Sequence, residues 1–244
     1  MASTIRYGLI CLCTWLASTN AQASVVMPQT FTCPLTGTEF EAEIDVSGTS
    51  TCSRLDFKEL GPISSPALLP VCPDDGLVLY REHFSEAELG VLREWVATRD
   101  YQDRIRHESP YYRLAEIMKL FGETRFNIAE AYLQASWEVE GDKARHHRYL
   151  RQALTTLREH DTENPDHHLS QYLQANILRV LGEFDAARQI TRRLLTIPRE
   201  ELGVEPLQLA WVDHLAAAQN ADHVPKSSSE CDTYRNYPET AGAQ

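Results

Sequence analysis

Two short segments carry the residues with the clearest chemical potential. Cys33-Pro34-Leu35-Thr36-Gly37 and Cys72-Pro73-Asp74-Asp75-Gly76 share the pattern Cys-Pro-x-x-Gly. A zinc knuckle has the pattern Cys-Pro-x-Cys-Gly, which sets two thiolates on one tight turn. Two such turns complete a tetrahedral site. Here Thr36 and Asp75 stand where each second thiolate belongs. Threonine is a poor zinc ligand and aspartate a moderate one, so the motif keeps the turn and loses half the ligands. Three chemistries compete. In the first, Cys33 and Cys72 form a disulfide where an ion once sat, which leaves Cys52 and Cys231 as the second pair. In the second, Cys33, Cys52 and Cys72 bind zinc with help from Asp75 or His83. In the third, the cysteines pair otherwise, for instance Cys52 with Cys72 and Cys33 with Cys231.

The compartment bears on that choice. Arg6 precedes an apolar run, Tyr7 to Ala17, that is too short to span a bilayer. Ala21-Gln22-Ala23 then has the form of a signal-peptidase site, so residues 1–23 read as a signal peptide and Ser24 as the mature N-terminus. Export places the protein in the periplasm or outside the cell, where disulfides persist. Cys11 and Cys13 lie inside the leader. No later segment is apolar enough to span a membrane. The net charge is −12. Nucleic acid and anionic membranes attract basic surfaces, so neither is expected as a partner.

Signatures of catalysis are absent. The sequence has no Gly-x-Ser-x-Gly, no His-Glu-x-x-His and no phosphate-cradling glycine loop. His146-His147 and His167-His168 are tempting pairs, but neighbouring helical side chains diverge and chelate poorly. Glu138 and Glu140 read as a solvated helix edge. Asp56 beside Arg54 reads as a buried ion pair of the N-terminal unit. An enzyme is not expected.

The elements that would position these residues fall into two kinds. Residues 24–82 form a small, irregular β unit. Phe31-Thr32-Cys33 and Phe40 to Val46 alternate like strands, Ser47-Gly48-Thr49 makes a turn, and Leu77 to Tyr80 is a further short strand. Leu60 to Pro70 is a proline-punctuated connection. Residues 83–219 are helical. Ser85-Glu86-Ala87-Glu88 is a capping box that opens a helix to about Thr98. Apolar stripes then recur at Tyr111–Phe121, Ile128–Val139 with Asn127 as cap, and Tyr149–Leu157. A polar loop is expected from His160 to Pro165. The helix from Leu169 to Val180 ends at Leu181-Gly182, and the next, capped by Asp185, is stopped by Pro198. A last helix starts near Pro206, and residues 220–244 form a polar tail.

Neither helix of the Leu169–Pro198 hairpin can bury its stripe alone, so neighbours of the same kind are required. Its turn, Leu181-Gly182-x-Phe184-x-x-Ala187, resembles a tetratricopeptide repeat, although Thr191 stands where an aromatic often packs. An ordinary helical bundle is the alternative. In such repeats a concave groove takes a peptide. Tyr111, Tyr112, Tyr132 and Trp137 could line one here, or could belong to the core.

Several segments resemble a bacterial family of unassigned function. They are Phe31-Thr32-Cys33-Pro34, Arg54-Leu55-Asp56-Phe57, Leu60-Gly61-Pro62, Leu69-Pro70-Val71-Cys72-Pro73, Gly76-Leu77-Val78-Leu79-Tyr80, Phe84-Ser85 and Tyr132 to Glu138. The resemblance implies a zinc-ribbon-like N-terminus followed by tetratricopeptide-like helices, and it implies no reaction. The expected protein is thus mainly α: helical hairpins bearing a degenerate zinc-ribbon-like β unit. Its expected role is a non-catalytic scaffold with a protein or peptide partner and no cofactor. The alternative is a zinc-binding or thiol-redox protein acting through the N-terminal cysteines.

Overall fold

The computed structural model describes residues 24–164 and 167–222. The expected signal peptide, Pro165, Cys231 and most of the expected tail lie outside the described residues. The chain is mainly helical with small antiparallel sheets.

The N-terminal hairpin follows from alternation. β1 (Val25–Thr32) pairs with β2 (Glu39–Ser47), placing Phe31 opposite Phe40 and Met27 opposite Ile44. The pair begins six residues before the strand expected at Phe31. Along β2, Phe40, Ala42 and Ile44 take one face and Glu39, Glu41 and Glu43 the other, up to a bulge that leaves Val46 unpaired. The first Cys-Pro turn joins the strands. The Cys33 N–H donates to the Thr38 carbonyl at 2.9 Å and the Gly37 N–H to the Cys33 carbonyl at 2.8 Å. The second turn repeats this pattern. The Cys72 N–H reaches the Leu77 carbonyl at 2.8 Å, and the Gly76 N–H reaches the Cys72 carbonyl at 2.9 Å. β3 (Cys52–Ser53) and β4 (Glu59–Leu60) flank a tight loop of residues 54–58. The strand expected at Leu77–Tyr80 reduces to one bridge, Val71 with Val78.

The helices begin where Ser85 caps. In α1 (Glu86–Val96) the Ser85 side chain accepts the Glu88 N–H, and the Glu88 carboxylate accepts the Ser85 N–H at 2.7 Å. The expected helix to Thr98 is interrupted. Thr98 caps a separate short helix, α2 (Arg99–Asp103), and a 3-10 turn, Ile105–His107, follows. Next come α3 (Pro110–Leu120), α4 (Arg125–Glu138), α5 (Lys143–Glu163), α6 (His168–Val180) and α7 (Phe184–Leu194). A single turn, α8 (Arg199–Leu202), precedes α9 (Pro206–Ala217). From α3 to α7 each helix packs on the next, and α9 closes on α7 and α6.

Three boundary expectations are corrected. Thr124, not Asn127, caps α4, and its side chain accepts the Asn127 N–H at 3.2 Å. Asp185 lies in the first turn of α7 and caps nothing, since Glu183 holds the cap position without a side-chain bond. α5 runs through His160 to Glu163 although His, Asp and Thr are weak helix formers, because packing overrides propensity where His160 is buried on the inner face.

The two parts are riveted together at two places. In the first, three side chains of the helical part donate to three successive carbonyls of the second Cys-Pro turn. Arg106 reaches the Asp74 carbonyl at 3.3 Å, Tyr101 the Asp75 carbonyl at 2.7 Å and Arg113 the Gly76 carbonyl at 2.6 Å. In the second, Leu55 inserts into the helical core. Its carbonyl accepts the Tyr172 hydroxyl at 2.7 Å, and the Phe57 ring packs tilted against Tyr172 at 5.7 Å.

The first rivet makes the two turn glycines unequal. Both have positive φ, 75° at Gly37 and 77° at Gly76. A Cβ on Gly37 would meet open space, whereas one on Gly76 would stand 2.9 Å from the Arg113 guanidinium. Gly37→Ala should cost only the backbone strain, about 1 kcal/mol. Gly76→Ala should cost roughly 2–3 kcal/mol, because it also disturbs a buried charged hydrogen bond. Thermal denaturation of the two variants checks the order, and equal losses would contradict it.

Candidate functional site

The structure joins Cys33 to Cys72, with a Cα–Cα distance of 5.6 Å. Two like turns that each begin on a buried cysteine bring those cysteines together, and each is 1 % exposed. Cys52 is a disulfide cysteine as well. The expected second pair, Cys52 with Cys231, falls on a residue outside the described set.

The residues proposed as zinc ligands do not fit an ion in this state. Cys33 and Cys72 spend their sulfurs on each other, and Cys52 sits on β3 in its own bridge. Thr36 donates to Asp74 at 3.1 Å, and Thr38 also donates to Asp74, which holds the two turns side by side. Asp75 turns its Oδ1 back to the Leu77 N–H at 2.8 Å. Its Oδ2 is buried without a hydrogen-bond partner, and burial raises its pKa above the usual carboxylate range. Among the described residues no three His, Cys, Asp or Glu side chains are grouped to hold an ion.

Of the two places weighed for the aromatic residues, a helical groove or the core, the three tyrosines take the core. Tyr111, Tyr112 and Tyr132 are buried in the core, and Tyr112 packs edge-on against Tyr132 at 5.2 Å. Trp137 is half-buried, and its indole N–H donates to Asp56 at 2.9 Å. Asp56 is the centre of the second rivet. Arg54 grips it twice, at 3.0 and 2.6 Å, and also reaches Glu140 at 2.7 Å, while Lys58 adds a contact to Glu140 at 3.0 Å. Glu138 accepts the Tyr111 N–H at 3.1 Å. Glu138 and Glu140 are exposed, as a helix edge would be, and both also bind their own chain. The segment Arg54-Leu55-Asp56-Phe57 occupies the place beside Trp137 that a partner peptide was expected to fill.

The histidines also regroup. His146 contacts the Ser136 carbonyl at 2.8 Å and is buried. His167 pairs with His160 across the α5–α6 turn, at 4.6 Å between ring centres, and not with its neighbour His168. The His167 Nδ1 accepts the Ser170 N–H at 3.2 Å, so it serves as the cap of α6.

An open concavity lies at the N-terminal unit instead. A groove of about 860 Å³ runs between the hairpin and the segment leading into α1. Phe31, Ile44 and Leu69 line one part, and Tyr80, Phe84 and Leu89 another. Arg81 stiffens the second wall. Its guanidinium lies 4.4 Å over the Phe84 ring and pairs with Glu88 at 2.6 Å. Two polar atoms of this wall, the Tyr80 hydroxyl and Arg81 Nε, are buried without a hydrogen-bond partner. Burial raises the Tyr80 pKa above its ordinary value, so the group stays protonated and able to donate. A trough of this size, with aromatic and aliphatic patches beside Gln29, Thr30, Glu82 and His83, can hold a peptide segment. Sequence reading missed this site. Its residues come from four segments, and only the aromatic spacing of Tyr80 and Phe84 hinted at it.

The fold and this site define a mainly helical protein that carries a small, disulfide-clamped β unit with an open groove. No family model, curated protein or solved structure matches the chain. No helix among the described residues is long and apolar enough to cross a membrane.

Proposed function

We propose that this is an exported, non-catalytic scaffold that captures a protein segment at its N-terminal unit. The open groove of about 860 Å³ carries the reading. The two rivets support it. They fix the β unit on the helices, so the trough is held open and little order has to be bought on binding. On this reading the tetratricopeptide-like helices are a support. Their expected aromatic groove is spent on the chain's own core and on residues 54–57. A periplasmic or secreted location fits a chain with disulfides and a leader-like N-terminus.

The second reading is a zinc-binding or thiol-redox protein. The observation in its favour is the orphaned Asp75 Oδ2 beside the cysteine turns. If the Cys33–Cys72 bond were opened, Cys33, Cys72 and Asp75 would offer two thiolates and a carboxylate. That supplies three zinc ligands. Native and denaturing mass spectrometry of the exported protein separates the readings. The scaffold predicts no free Cys33 or Cys72 thiol and no bound ion. A zinc ion with free thiols at those positions would overturn it.

A further inference from the structure

We infer that the outer edge of β2 is a second interaction surface, which takes an extended segment alternating basic and apolar residues. It shares Ile44 with the groove wall, and its backbone edge and acidic row lie outside that lining. Three observations carry the inference.

The first is the state of the two edges. In an antiparallel pair, bonded and non-bonded residue pairs alternate. The bond from Cys33 to Thr38 sets the phase, so the N–H and C=O groups of Glu39, Glu41 and Glu43 point away from β1. On β1 the outward set includes Pro28, opposite Glu43. Proline has no N–H to offer, so the β1 edge is blocked there. The β2 edge has no such block between Glu39 and Ile44. Among the described residues it is covered only at its far end, where Asp45 accepts from Ser64 and from the Leu68 N–H at 2.8 Å.

The second is charge. Glu39, Glu41 and Glu43 are exposed, and among the described residues their carboxylates have no ion-pair or hydrogen-bond partner. Residues 24–53 contain no Lys, Arg or His. A strand laid along β2 would set its side chains about 5 Å from this row, directly opposite it. Basic residues there would be paired. A second copy of β2 would bring carboxylate against carboxylate, so the same row rejects self-association.

The third is the other face. Phe40, Ala42 and Ile44 are only partly buried. The alternate residues of an added strand would extend this apolar face. Such a surface asks for one chemistry: basic on one side, apolar on the other, with a free backbone.

A short capped peptide alternating lysine and valine tests the inference on the full-length oxidised protein, with binding read by fluorescence anisotropy at low salt. Three controls accompany it: an alternating glutamate and valine peptide, the lysine peptide N-methylated on alternate residues, and the variants Glu41→Pro and Glu41→Lys/Glu43→Lys. Glu41→Pro removes an outward donor without breaking a bond to β1. The lysine peptide should bind, and the glutamate peptide should not. N-methylation or Glu41→Pro should weaken binding at least tenfold, and the double charge reversal should favour the glutamate peptide. Equal binding of the N-methylated peptide would overturn strand pairing, as would equal binding of the two charge patterns or no binding at all. The capture reading for the groove would stand or fall separately, because none of these variants touches it.

Discussion

Arg54→Ala is expected to lower stability by about 3–5 kcal/mol, because it leaves the Asp56 carboxylate buried without its cation. Arg54 and Asp56 are 5 % and 3 % exposed, so water cannot replace the lost partner. Burial alone would lower the Arg54 pKa, and the charges of Asp56 and Glu140 more than offset that, so the guanidinium stays charged throughout the range of folding. The loss should appear as a fall in Tm on the order of 10 °C. Arg54→Met combined with Asp56→Leu should recover most of it, since apolar replacement of a whole buried pair is often nearly neutral. The remaining cost is the Trp137 indole N–H, worth about 1 kcal/mol when its acceptor goes. Thermal denaturation of the single and double variants decides the matter. A double variant as unstable as the single one would show that the ion pair is not what fastens residues 54–57 to the helices.

The second large effect belongs to the Cys33–Cys72 bond. It joins residues 39 apart, and a loop of that length restricts the unfolded chain by roughly 4 kcal/mol. Cys33→Ala/Cys72→Ala should lower the urea midpoint accordingly. Both cysteines sit in a small apolar cluster with Leu77, Val78, Leu92 and Ile117, so alanine adds a cavity cost of the same sign. The helical core is a separate cluster, and most of its contacts should survive. If the double variant were as stable as the parent, the bond would be incidental and the clamp account would fail.

Local signals in the sequence carried over well. The Ser85 to Glu88 capping box, the glycines at the ends of α3 and α6, and the two Cys-Pro turns all depend on neighbours within a few residues. The misplaced caps are local errors of another kind. Thr124 and Asn127 are both good cap residues three positions apart, and only the strand-like dihedrals at Thr124 choose between them. The rivets were hidden because their partners are distant in sequence. Tyr101 acts 26 residues from Asp75, and Trp137 acts 81 residues from Asp56. Periodicity says that Tyr111, Tyr112 and Tyr132 lie on an apolar stripe. It cannot say whether the stripe meets a partner or the chain itself. The Arg54–Asp56 pair was legible, but its role in filling the space beside Trp137 was not.

The capture of a segment in the groove is tested most directly by photocrosslinking in cells that export the full chain. A genetically encoded crosslinker is placed at Leu68 or His83, which are exposed and line the groove, and at Arg192, which is exposed on α7 away from it. The account predicts the same discrete adduct from both groove positions and none from Arg192. Absence of an adduct from the groove positions, or equal adducts from Arg192, would contradict it.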